Sequence, residues 1–105
     1  MSFKIEFSQR SQHDLEEIFE YIYASSPENA RRWRTKLEEK LMSLTTQPEA
    51  CGLALENEYS SGEVRQMIFG RYRVLFTIRD QTVYLLTIRH SARKEMKEEE
   101  LNEIE

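Results

Sequence analysis

Residues 64–94, VRQMIFGRYRVLFTIRDQTVYLLTIRHSARK, read as three consecutive strands, and this stretch constrains the rest of the chain. It is rich in β-branched and aromatic residues that alternate with polar ones, the pattern of a sheet with two unlike faces. Gly70 marks the first turn and Asp80-Gln81 the second. In the middle strand Tyr72, Val74, Phe76 and Ile78 form a core face, while Arg71, Arg73, Leu75, Thr77 and Arg79 point to an open face. With two-residue turns, Met67, Phe69, Val83 and Leu85 join the core face. Gln66, Tyr84, Leu86, Ile88 and His90 then join Arg71 and Arg73 on the open face. A slip of one residue would exchange the faces of a strand.

The same stretch is strongly basic: Arg65, Arg71, Arg73, Arg79, Arg89, Arg93 and Lys94 stand against the single acid Asp80. The flanks are acidic. Residues 1–63 hold seven Lys/Arg and twelve Asp/Glu, and residues 95–105 hold Lys97 and six Glu. The net charge of −4 therefore conceals a basic sheet in an acidic chain, a polarity suited to a polyanionic partner.

Before the sheet, Phe3-Lys4-Ile5-Glu6-Phe7 alternates with period two and reads as a short strand. Ser8 and Ser11 are both candidate N-caps for the helix that follows; with Ser11 as cap, Asp14 falls at N3. Leu15, Ile18, Phe19 and Ile22 form its apolar stripe. Ser26-Pro27 ends this helix and begins another, since proline suits a first helical position and serine caps it. Ala30, Trp33, Leu37, Leu41 and Leu44 predict a second helix to about Thr46, with Pro48 beyond its end. The short link makes the two helices an antiparallel pair. Helical spacing assigns Trp33, Tyr21 and Tyr23 to packing. Residues 49–63 read as loop.

The expected architecture is α+β: an N-terminal strand, an antiparallel helix pair and a three-stranded antiparallel meander completing one sheet. One domain spans 1–94, and 95–105 is an acidic tail of weak order. A chain of 105 residues buries roughly two thirds of its unfolded surface, enough for one core. No apolar run reaches the ~20 residues that span a bilayer, so no membrane role is expected. The N-terminus lacks the order of a secretory signal. The single Cys51 forms no internal disulfide, and a cytoplasmic location is expected.

Two sites stand out chemically. Arg73 lies mid-sheet, where an arginine is costly unless paired; its planar fork suits a phosphate, and a salt bridge to Glu56 or Glu58 is the alternative. His90 ends a strand among Arg89, Arg93 and Arg71, and a neutral imidazole there can relay a proton near pH 7. Its alternative is a backbone hydrogen bond at the strand end. Two distant histidines and one cysteine give no metal-ligand spacing, and the glycine-rich phosphate loops are absent, so neither metal nor cofactor is expected.

The ordered set DLEEI with YI (14–18, 21–22), VRQM (64–67), GRYRVLF (70–76) and IRHSAR (88–93) resembles the RelE/ParE superfamily of small bacterial toxins, which includes plasmid-stabilisation proteins. The resemblance implies the toxin of a type II toxin–antitoxin pair, held inactive by a cognate antitoxin. It implies growth inhibition in one of two ways. RelE-like members are metal-independent endoribonucleases that cut mRNA in the ribosomal A site; ParE-like members poison DNA gyrase. On the first, Arg73 matches the arginine that holds the scissile phosphate, Arg93 matches a basic position after the last strand, and His90 is the candidate proton carrier. Arg65, Arg71, Arg89 and Lys94 would bind nucleic acid or target. Two features depart from that pattern: residues 47–63 contain no Lys or Arg, and no aromatic or histidine acid/base stands at the extreme C-terminus. A non-toxic member acting as an antitoxin-binding or regulatory partner is the alternative. Operator DNA would be bound only through the antitoxin.

Overall fold

The computed structural model describes residues 2–60 and 62–104, with the side chain of Tyr59 left aside. Strand β1 (Lys4–Phe7) leads into α1 (Gln9–Ser25) and α2 (Pro27–Met42), and then β2 (Arg65–Phe69), β3 (Tyr72–Arg79), β4 (Thr82–His90) and a final α3 (Glu98–Ile104). Short 3₁₀ turns at Ser43–Thr45, Pro48–Ala50 and Leu55–Tyr59 occupy the intervening segment. No helix among the described residues is long and apolar enough to cross a membrane.

Capping chemistry sets the helices. Ser8, not Ser11, caps α1: its hydroxyl accepts from the Ser11 N–H at 2.9 Å and donates to the Leu86 carbonyl at 2.8 Å. One side chain thus starts the helix and fastens it to β4. Ser26 accepts from the Asn29 N–H, and Pro27 opens α2, as its fixed φ allows. Helix α2 stops at Met42, and Leu44 stays buried on a 3₁₀ turn.

The sheet order is β1-β4-β3-β2, with β1 parallel to β4 and the other pairs antiparallel. Both hairpin turns are two residues long, and Gly70 and Asp80 take positive φ, each at the first position of its own turn. One face is covered by the helix pair. Leu37, Leu41 and Leu44 meet Met67, Val74, Phe76, Val83, Leu85 and Ile88 there, with Leu15, Ile18 and Trp33 at the margin.

The pairing corrects the parity expected for β4. Leu75 pairs with Thr87 but Phe76 pairs with Leu85, so Leu86 is an extra residue in the strand. Such a bulge interrupts strict alternation. Val83 and Leu85 face the helices as expected, but so does Ile88, and the His90 ring lies edge-on to Tyr72 with centroids 5.4 Å apart. The tyrosines also differ from expectation. Tyr21 is 78% exposed, and Tyr23 lies at the surface against Phe19 and beneath Arg31. Trp33 does pack, edge-on to Tyr72 at 5.7 Å and tilted against Phe69.

The expected open face is closed. Leu75 and Leu86 are fully buried beneath Met96 and Leu101, with Ala54 and Val64 completing a second core. The acidic tail, expected to order weakly, supplies both covering side chains. Apolar contact fastens the segment, and Glu98, Glu99 and Glu100 stand in the first turn of α3, where the helix dipole favours acids.

Asp14 ties α1 to the bulged strand. Its carboxylate accepts from the Thr87 hydroxyl, from the Ile88 N–H at 3.1 Å and from Arg10 Nε at 3.3 Å. Asp14→Ala strands the buried Thr87 hydroxyl and Ile88 amide, and should cost about 1–3 kcal/mol in urea denaturation. A loss within 0.5 kcal/mol, the usual range of a surface change, would refute that role.

Candidate binding and charge cluster

The two faces of the sheet separate the chemically interesting residues. On the face beneath Met96 and α3, Arg73 and Arg89 stand directly opposite each other on adjacent strands. Both are buried, at 7% and 4% exposure. Two like charges so placed require a counter-ion, and Glu56, fully buried on the 3₁₀ turn before β2, provides it. Its oxygens accept from Arg73 Nη1 at 3.1 Å and Nη2 at 3.0 Å, a bidentate pair. Gln66 takes a further bond from Arg73 Nη1 at 3.0 Å. The Met96 N–H donates to the same Glu56 carboxylate at 2.8 Å. Burial pushes this carboxyl up, but the bonds from Arg73 and the Met96 amide, with the Arg73 charge, outweigh it and hold the group below the ordinary carboxylate range.

Arg89 is less well served. Its Nη2 donates to the Lys94 carbonyl at 2.7 Å, but Nε and Nη1 have no hydrogen-bond partner. The nearest carboxylate, Glu100, is 3.7 Å from Nη1, an ion pair without a hydrogen bond. Burial, with the neighbouring charge of Arg93, lowers its pKa.

His90 lies on the other face. It lines a shallow cleft of about 140 Å³ with Asp14, Glu17, Ile18, Tyr72, Ile88 and Arg93. Its Nδ1 accepts from the Ala92 N–H at 3.0 Å, which assigns a neutral ring its proton at Nε2. The Arg93 N–H closes the turn on the His90 carbonyl, and the Arg93 side chain is exposed. The structure therefore brings His90 and Arg93 together and places Arg73 across the sheet from His90. Arg65 donates to the backbone carbonyls of Glu49 and Cys51 and to Glu63, binding the preceding loop to the β2 edge. Arg71 and Lys94 are exposed. Arg73→Ala, an apparently simple test of catalysis, would also leave Glu56 buried without its partner.

Sequence reading named Glu56 only as one possible partner for Arg73 and gave Asp14, Met96 and Leu101 no such roles. Glu56 was otherwise an acid in a segment without bases, and Asp14 was the third residue after a serine and the first of the DLEEI set.

A further feature is apolar. Among the described residues β1 pairs with β4 alone, and past the Phe3 N–H, which donates to the Thr45 carbonyl at 2.7 Å, no strand lies along its outer edge. Beside it, Ile5, Phe7, Leu41 and Met42, with Thr35, Glu38 and Glu39, line a groove of about 510 Å³.

The sequence matches the family described as the ParE toxin of the type II toxin–antitoxin system parDE over residues 5–95. Met96 and α3 lie beyond that match. The fold is similar to a chain of the chromosomal ParDE system of P. aeruginosa, with TM-score 0.69 and 16% identity over 85% of this chain and 96% of that one. It is also similar to a chain of the toxin–antitoxin complex RelBE2 of Mycobacterium tuberculosis, with TM-score 0.56 and 24% identity over 86% of this chain and 99% of that one. At these identities the likeness is one of fold. No curated protein matches the sequence.

Proposed function

We propose, for a chain that belongs to the ParE toxin family of type II toxin–antitoxin systems, that it is a growth-inhibiting toxin that acts by occupying a protein target of the DNA gyrase class, and that a cognate antitoxin neutralises it. The observation that carries this reading is the position of Arg73. An mRNA-cleaving mechanism needs that guanidinium on the scissile phosphate and a proton carrier beside it. Here Arg73 is spent on Glu56, and His90 faces the opposite side of the sheet. A binding mechanism needs neither.

The antitoxin contact in this reading is the β1 edge with the adjoining groove. An extended segment adds to a free strand edge through main-chain bonds, and apolar side chains fill the groove between Phe7 and Met42. His90, Arg93, Arg71 and Lys94, around the end of β4, are the proposed target-contacting residues.

The test is induction of the chain in bacteria lacking its partner, with growth, DNA-damage response and mRNA 5′ ends followed together. Growth arrest with a damage response and no new ends inside translated codons is expected. The double substitution Arg93→Ala with Lys94→Ala should relieve arrest at least tenfold in plating efficiency at unchanged protein level. New ends within codons would replace this reading with ribonuclease action. Normal growth would replace it with a non-toxic, partner-binding role.

A further inference from the structure

The second face of the sheet holds an unbalanced charge. Arg73 and Arg89 lie side by side, and among the described residues the only carboxylate in hydrogen-bond contact with either is Glu56, which is committed to Arg73. Arg89 retains two nitrogens without a hydrogen-bond partner although it is almost wholly buried. What hides them is the chain's own C-terminal segment. Met96 and Leu101 are its buried anchors, the Lys94 carbonyl caps one nitrogen of Arg89, and Glu100 stands over another at 3.7 Å. Glu100 is shared with Arg10, whose Nη2 is 3.8 Å away.

We propose that residues 95–104 are a latch occluding a phosphate-binding site built on Arg89, with Glu100 as the intramolecular stand-in for the phosphate, so that nucleic-acid backbone and latch compete for the same guanidinium. This does not rest on the target assigned above.

Three features support displacement. A helix of seven residues does not persist alone, so α3 exists only while docked. Glu100 in its first turn adds negative charge beside Arg89 without reaching hydrogen-bond distance of it. A buried guanidinium with unmet donors gains most from an anion whose oxygens reach hydrogen-bond distance, and a backbone phosphodiester, with the same single charge as a carboxylate, presents two anionic oxygens that suit the guanidinium fork. Arg93 and Lys94, both exposed, adjoin the mouth of the site, and Arg71 follows at the neighbouring turn, where its carbonyl accepts from Ser91. Together they extend the site into a basic track for successive phosphates.

The test uses the full chain with Leu101→Asp, which expels the central anchor. Hydrogen exchange follows residues 95–104, and fluorescence anisotropy follows a labelled twelve-nucleotide oligothymidylate at low salt. Faster exchange confined to the latch and its cover, with oligonucleotide binding at least tenfold tighter than in the parent, is expected. Adding Arg89→Gln to the opened chain should abolish that gain. Leu101→Ala, a milder opening, serves if the aspartate variant does not fold. Four outcomes would overturn the proposal: an opened latch without tighter binding, a gain that survives Arg89→Gln, a latch that stays protected in both Leu101 variants, or preference for polyglutamate of equal charge over the oligonucleotide.

Discussion

Glu56→Ala lowers the stability of this chain by about 3–5 kcal/mol, the cost of leaving one member of a buried ion pair without its partner. The loss has three sources. Arg73 keeps its charge in a site 7% exposed. Arg89, opposite it, is no longer shielded by the carboxylate between the two covering elements. The Met96 N–H loses its acceptor, which loosens the segment that roofs the second core. At roughly 4–8 °C per kcal/mol for a domain near this size, the thermal midpoint falls by more than about 10 °C. Equilibrium urea denaturation of parent and variant measures the difference. A loss below about 1 kcal/mol would mean that the pair behaves as an exposed one.

The same carboxylate makes stability depend on acid. Its folded pKa lies below the ordinary carboxylate value. Its contribution is therefore fully present above the unfolded pKa and is lost as pH falls through the depressed folded value. The parent should lose stability across that acid window more steeply than Glu56→Gln, which has no carboxylate to titrate. Equal slopes would assign acid sensitivity to other groups.

Phe76→Ala should cost a similar amount, about 3–5 kcal/mol, by a different route. Phe76 is fully buried at the centre of β3 and faces the helix pair among Leu37, Val74, Val83 and Leu85. Removing the ring forfeits its transfer free energy and leaves a cavity that two helices and a sheet cannot close. Ile68→Ala on β2 is the control: it is 53% exposed, near the edge of the sheet, and should shift stability by no more than about 0.5 kcal/mol. If the two substitutions cost the same, the helix-covered face is not the principal core.

Local chemistry was readable where a single residue type fixes the backbone. Ser26-Pro27 gave the helix boundary because proline and a capping serine have few other uses together. Gly70 and Asp80 gave the two turns, and the alternation in 72–78 gave the core face of β3. The meander, the helix pair and the N-terminal strand all follow from such signals. The site was less readable. Arg73 was recognisable as an arginine that must be paired or liganded, but its acid lies seventeen positions away in the chain, and the sequence does not say which acid that is. His90 was assigned the same face as Arg73, and the structure puts it on the other.

The sequence by itself determined the N-terminal strand, the helix pair and the three-stranded meander, the basic character of the sheet and the side of β3 that meets the helices. Those are properties of short-range sterics and of period. The tertiary structure alone decided three things. The extra residue Leu86 reset the facing of Ile88 and His90, because strand pairing is a relation between two strands and neither one's pattern shows where a bulge falls. Glu56 became the partner of Arg73, because a counter-ion is chosen by proximity in space. The glutamate-rich tail became a roof, because Met96 and Leu101 gain from burial only against Leu75 and Leu86, side chains that are distant in sequence and exposed until the segment closes over them.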